Sequence, residues 1–132
     1  MTTVIALLLD RCGLSIREAA EFLIVREDTI KSWRSGRNPT PPKVIAELRA
    51  LYLKIGVAAR KALAVIDAAP VDADIELGIA VDDHEAKLLG LPCVGAHAAL
   101  LGLVAACSGR SMRIVPRGAT PASAAAADVH DR

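Results

Sequence analysis

The apolar positions at the start of the chain fall into short blocks separated by turn residues. Val4 to Leu9 is an apolar run that Thr2 or Thr3 can cap and Gly13 can end in a left-handed conformation, which predicts a first helix to about Cys12. Ser15 followed by Glu18 is the spacing of a capping box, and it opens a second helix through about Leu23. After a break at Ile24 to Arg26, residues Thr29, Ile30 and Trp33 belong to a third short helix. Gly36 and the Arg37, Asn38, Pro39 group end it.

A longer pattern follows. Thr40, Pro41 and Pro42 start a helix, because proline in the first turn gives up a donor that has no intrahelical partner anyway. Ile45, Leu48, Tyr52, Ile55, Ala59, Leu63 and Ile66 recur at spacings of three and four, one amphipathic face reaching about Ala69, with Gly56 a place to bend or divide it. Pro70, Asp72 and Asp74 make a linker. Ile75 to Val81 alternates as a strand does, Asp82 or Asp83 caps a helical turn ending near Gly90, and Pro92 opens a small-residue helix from Cys93 to Cys107. Ser108-Gly109 breaks that helix, and Met112 to Val115 is a second strand able to pair with the first. From Pro116 onward the chain lacks bulky apolar groups and reads as a disordered tail.

Composition turns this pattern into a fold class. The 132 residues are 53% hydrophobic but 2% aromatic, and alanine supplies much of the difference, which favours helix. The expected class is mainly α: residues 1–69 a helical unit with a long last helix, 70–115 a small α+β region suited to dimerisation, and 116–132 the tail. The formal net charge of +1 hides an asymmetry. Residues 1–61 carry 11 Lys+Arg and 6 Asp+Glu, a balance of +5, and residues 62–132 carry 5 and 9, a balance of −4. The Val4 to Leu9 run is too short and unflanked for a signal peptide, and the apolar stretch from Cys93 to Cys107 is too short to cross a bilayer. With three cysteines and no close pair, the expected setting is the cytoplasm, without a membrane.

The segment from Gly13 to Pro42 carries the functional signal. Ala20 lets two helices approach, Val25 plugs the turn between them, and Ile30 and Trp33 anchor the second. Ser15, Glu18, Ala19, Ala20, Leu23 and Val25, then Thr29, Ile30, Trp33 and Gly36, then the proline-opened helix with Leu48 and Leu51, stand in one register. Over residues 4–55 this arrangement resembles the helix-turn-helix of the lambda-repressor-like family, also called the XRE or Cro family. The resemblance implies a third helix lying in the major groove of double-stranded DNA, with its exposed residues reading base edges.

On that reading Arg26, Glu27, Asp28, Lys31 and Ser32 are the base-reading residues. Arginine would take guanine, Glu27 or Asp28 would accept from cytosine, and Ser32 would pair with several bases. Arg17, Arg34, Arg37 and Asn38 flank the helix and suit phosphates. Glu27 and Asp28 have a second explanation, since acids in the first turn of a helix favour its positive end without any DNA. The family's usual glycine in the turn is Ile24 here, and a β-branched residue resists positive φ, so a different turn geometry is expected. Its usual glutamine and capping serine are Ile16 and Arg26, which reassigns part of the clamping and capping.

Five basic residues against two acidic ones between Arg26 and Lys43 support DNA contact. A module of this size implies a homodimer reading two half-sites, with the long helix or the small-residue helix as interface. The expected function is therefore a DNA-binding transcriptional regulator, a dimeric repressor or autoregulator on an inverted repeat. The alternative is a protein-interaction adaptor or antitoxin that uses the acidic C-terminal half to hold a partner protein. Small autoregulators such as anti-CRISPR-associated repressors and antitoxins share this layout. Cys93 with His97, and the group Asp82, Asp83, His84 and Glu85, are metal-like clusters, and both are explained better as a buried helix face and a helix start. No Ser-His-Asp, Walker or dinucleotide fingerprint points to an enzyme, and no cofactor is expected.

Overall fold

The computed structural model describes residues 2–117 and is mainly helical, with one small parallel sheet. The tail expected from Pro116 therefore lies outside the described residues from 118 onward; Pro116 itself ends a strand. The order is α1 (Val4–Arg11), α2 (Ile16–Leu23), α3 (Glu27–Ser35), α4 (Pro42–Ala68), β1 (Ile75–Ile79), α5 (Asp83–Leu88), α6 (Val94–Cys107) and β2 (Met112–Pro116). No described helix is long and apolar enough to cross a membrane.

Local chemistry sets the helix ends. The Thr3 hydroxyl accepts from the Ala6 N–H and caps α1. At the other end Gly13, at φ +70°, closes a Schellman turn: the Gly13 N–H donates to the Asp10 carbonyl and the Leu14 N–H to the Leu9 carbonyl. The capping box is formed, with the Glu18 N–H donating to the Ser15 hydroxyl and the Ser15 N–H to Glu18 Oε1. Pro42 occupies the start of α4, and the helix runs unbroken through Gly56. At its far end, where no basic residue of its own helps, Arg110 Nη1 donates to the carbonyls of Ile66 (2.6 Å) and Ala69 (3.0 Å), and Nη2 to that of Pro70. A guanidinium from the turn before β2 thus satisfies the orphan carbonyls and the negative end of the longest helix.

One buried core crosses the boundary expected near residue 69. Ile5, Leu9, Ile30, Leu48 and Ile55 from the first half pack in the same cluster as Leu91, Ala96, Leu100 and Val104 from the second. At one point the two halves meet backbone on backbone. A Cβ on Gly13 would stand 2.0 Å from the Gly95 carbonyl oxygen, and one on Gly95 would stand 2.1 Å from that of Gly13. Only glycine fits at both positions.

The two strands pair in parallel, Ile75 opposite Met112 through Ile79 opposite Pro116, with α5 and α6 as the crossover. Glu76 and Arg113 face each other across the ladder at 3.0 Å, an exposed pair worth under about 1 kcal/mol. His97, buried on α6, ties the sheet to the helix: its Nδ1 accepts from the Ala80 N–H at 2.9 Å, just past β1. Burial and the nearby Arg117 hold the His97 pKa below its ordinary 6.5, against a smaller upward pull from Glu85. Because the folded state binds this proton less readily than the unfolded chain does, stability is complete above pH 6.5 and declines as pH falls below it toward the lowered pKa. Chemical denaturation from pH 8 to 5 is expected to record this decline. In His97→Asn, which keeps an acceptor near the same place and has no proton to gain, that component of the decline disappears.

Candidate nucleic-acid interface

The site is built on α3 and the turn that aims it. Ile30 and Trp33 are buried and fix the inner face of α3. The Thr3 hydroxyl donates to the Arg34 carbonyl at 2.9 Å, which ties the last turn of α3 to the start of α1. Beyond Gly36, at φ +83°, the chain folds back so that the Asn38 N–H meets the Ser32 carbonyl at 3.3 Å.

The turn between α2 and α3 corrects one expectation. Ile24 does adopt the left-handed conformation, φ 57° and ψ 52°, that a glycine would take without strain. The Ile24 and Val25 N–H groups both donate to the Ala20 carbonyl and close α2. These bonds, with Leu23 buried before the turn and Val25 half-buried after it, hold the geometry in spite of the side chain. Ile24 is 88% exposed, so burial returns nothing for the strain. Ile24→Gly is expected to stabilise the fold by about 1 kcal/mol, the relief of left-handed strain less the extra freedom glycine gives the unfolded chain. A urea midpoint at unchanged m-value checks it.

The residues expected to meet DNA separate into two sets. Arg17 on α2, Arg26 as the residue before α3, Glu27 and Asp28 in its first turn, Lys31 and Arg34 along it, and Arg37 and Asn38 after it are all exposed. Glu27, Lys31 and Arg34 stand at i, i+4 and i+7, a single stripe. Among the described residues the ion pairs are Glu76 with Arg113 and Glu85 with Arg117, so none of these five cations has a carboxylate within 4.0 Å. The side chain of Arg26 makes no capping bond to α3.

Ser32 is the exception. Expected on the reading face, it is 5% exposed, and its hydroxyl accepts from Asn38 Nδ2 at 2.6 Å. The fold-back after Gly36 brings Asn38 to satisfy it. Its role is to orient Asn38. A recess of about 260 Å³ opens there, with Arg26 and Arg37 beside Asn38 on its wall. Asp28 lines the same recess, so its two cations and fixed amide are partly offset by a carboxylate. The Ser32–Asn38 pair is not legible in the sequence, because nothing in a helix's spacing says that a residue six positions later will return to it.

The other candidate clusters are occupied by structural bonds. Asp82 Oδ1 accepts from the Glu85 N–H and caps α5, and Asp83 Oδ1 accepts from the Val94 N–H at the start of α6. Burial pushes the Cys12 thiol up to about 11, and its Sγ–H points to the Leu48 carbonyl at 3.5 Å. Burial also raises the Cys93 pKa, against a smaller downward pull from the Ala96 backbone, with Glu18 and Asp83 adding to the rise. Both are thiols in core positions rather than activated thiolates. Among the described residues no three His, Cys, Asp or Glu side chains are placed to hold a metal ion.

No family model matches the chain, and no curated protein or solved structure matches it.

Proposed function

We propose that the chain is a sequence-specific DNA-binding transcriptional regulator of the lambda-repressor-like helix-turn-helix kind, working in the cytoplasm as a dimeric repressor of its own or a nearby promoter. The observation that carries this reading is the set of exposed, unpaired cations on and around α3, a helix held rigidly by Ile30, Trp33 and the Thr3 bond. Cations outnumber acids on and around this helix, five against Glu27 and Asp28, so the surface has a net attraction for a polyanion. The +5 balance of residues 1–61 adds a long-range attraction of the same sign.

In this reading α3 enters the major groove. Arg26, Lys31 and, in the first turn, Glu27 and Asp28 face base edges, while Arg17, Arg34, Arg37 and Asn38 hold phosphates. A second copy reads the other half-site. Footprinting of the purified chain on the DNA upstream of its own gene is the test. Protection of two half-sites centred about 34 to 36 Å apart is expected, and protection of nothing in that region or in a genomic fragment library contradicts the reading.

One observation favours a second reading. Glu27 and Asp28 are exposed and unpaired on the same face, where they would repel phosphates. A protein-interaction adaptor that keeps the helical frame and holds a partner through the acidic second half accommodates them. Pull-down of a partner that survives loss of Lys31 and Arg34, with no DNA bound by the unaltered chain, selects that reading.

A further inference from the structure

Away from α3 the molecule has a larger and more apolar concavity. A groove of about 650 Å³ lies between α4 and the α5–α6 connection, with Phe22 of α2 also on its wall. Its floor is Phe22, Ala50, Leu51, Leu91 and Pro92. A space of that size with an apolar floor is in the range that encloses small organic ligands.

Its polar groups are Lys54, Lys87 and Glu47, and their placement is uneven. Glu47 and Lys54 stand seven residues apart on α4, two turns, with Leu51 between them, so they mark opposite ends of the floor. Lys87 is on the side of Lys54. The Gly90 N–H donates to the Lys87 carbonyl, and the Lys54 ammonium lies only 3.1 Å from where a Cβ on Gly90 would stand. Gly90, at φ +84°, ends the α5 turn and leaves that corner open. Neither ammonium has a carboxylate within 4.0 Å among the described residues. The result is an apolar trough with the unpaired Lys54 ammonium at its Gly90 corner, Lys87 on its α5 wall, and the single acid, Glu47, two turns from Lys54 along α4.

We propose that this groove is a binding site for a small amphipathic anion, an acyl or aryl carboxylate or sulfonate, with its acid head at Lys54 and Lys87 and its apolar body over Leu51, Phe22 and Leu91. The charge arrangement selects this class: a neutral apolar ligand leaves both ammoniums unmatched, and an amphipathic cation meets two like charges. The site concerns ligand binding alone and stands whether or not α3 binds DNA.

The probe is 1-anilinonaphthalene-8-sulfonate, whose fluorescence rises in an apolar, dry environment, titrated into the full chain. Saturable enhancement at one site per chain is expected, displaced by decanoate and not by decyltrimethylammonium. Lys54→Glu with Lys87→Glu is expected to weaken binding roughly tenfold, since two weak exposed attractions are replaced by two repulsions. Ala50→Trp, at an exposed position on the floor, fills the groove and abolishes binding while circular dichroism stays unchanged. Non-saturable enhancement, equal displacement by the cation, or unchanged binding in Ala50→Trp overturns the proposal.

Discussion

Gly13→Ala is expected to lower the stability of the fold by about 3 kcal/mol, from about 1 kcal/mol for a side chain at positive φ and the remainder for overpacking. The new methyl would stand 2.0 Å from the Gly95 oxygen and 2.5 Å from its carbonyl carbon, both backbone atoms that no rotamer change can move. Relief requires the α1–α2 turn and α6 to separate, and the core they share, with Leu9 and Ala96 in it, must open with them. Gly95→Ala produces the reciprocal overlap at 2.1 Å without the positive φ, so it is expected to cost less. Since both substitutions force the same separation, the double variant should cost less than the sum of the two. Gly56→Ala is the control: it lies inside α4 with nothing within 4 Å of the added methyl, and is expected to stabilise by roughly 0.5 to 1 kcal/mol. Urea denaturation of the four variants reads all of these differences. A Gly13→Ala variant as stable as the parent would mean that the two halves do not meet as described.

The second large effect is on DNA. Lys31→Ala with Arg34→Ala is expected to reduce affinity for the chain's own operator by roughly a hundredfold or more, at about 1 to 3 kcal/mol for a base contact and a further loss for the phosphate contact. The two losses should differ in kind. Lys31, in the stripe that faces the groove, changes which sequences are preferred, whereas Arg34 at its end weakens all sequences alike and lowers the salt dependence by about one unit of slope. Asn38→Ala should act as a weaker version of Arg34→Ala. Ser32→Ala should follow Asn38→Ala in direction, because the buried hydroxyl holds the Asn38 amide and is not itself exposed to a base. Binding isotherms at two salt concentrations separate these cases, and folding of each variant is checked by its urea midpoint. Unchanged affinity in the Lys31, Arg34 pair removes α3 as the reading element.

Much of the helical frame is legible in the chain because it is set by neighbours in sequence. The Ser15–Glu18 box, Gly13 after α1, Gly36 after α3 and Pro42 opening α4 are local bonds or local torsions, and each lies where its residue type predicts. What escapes is the chemistry between distant segments. The direction of strand pairing depends on the path through α5 and α6, and alternation in Ile75 to Val81 carries no direction. The Gly13–Gly95 contact joins residues more than eighty positions apart, and neither glycine announces the other. Arg110 reads as an isolated surface charge in a Ser-Gly-Arg-Ser turn, yet it closes the end of α4. Ile24 is the reverse case. Its side chain argues against positive φ, and tertiary context on both sides of the turn, with the bonds to Ala20, overrides the local preference.

Within the candidate site the same division holds. That Arg17, Arg26, Lys31, Arg34, Arg37 and Asn38 are exposed follows from their type and from the apolar positions that must face inward. That Ser32 is inside follows only from Asn38 reaching it. A short polar side chain beside a buried tryptophan has no preference strong enough to read without its partner.

The central claim is that α3 and its flanks form a polyanion-binding surface, and the salt dependence of binding tests it most directly. The measurement is the logarithm of the observed association constant for a duplex from the chain's own promoter against the logarithm of salt concentration. The three cations placed on phosphates, Arg17, Arg34 and Arg37, predict a slope of about −3 for one chain bound and about twice that for a dimer, near −0.9 per phosphate neutralised. A slope near zero, or no binding at low salt, contradicts it.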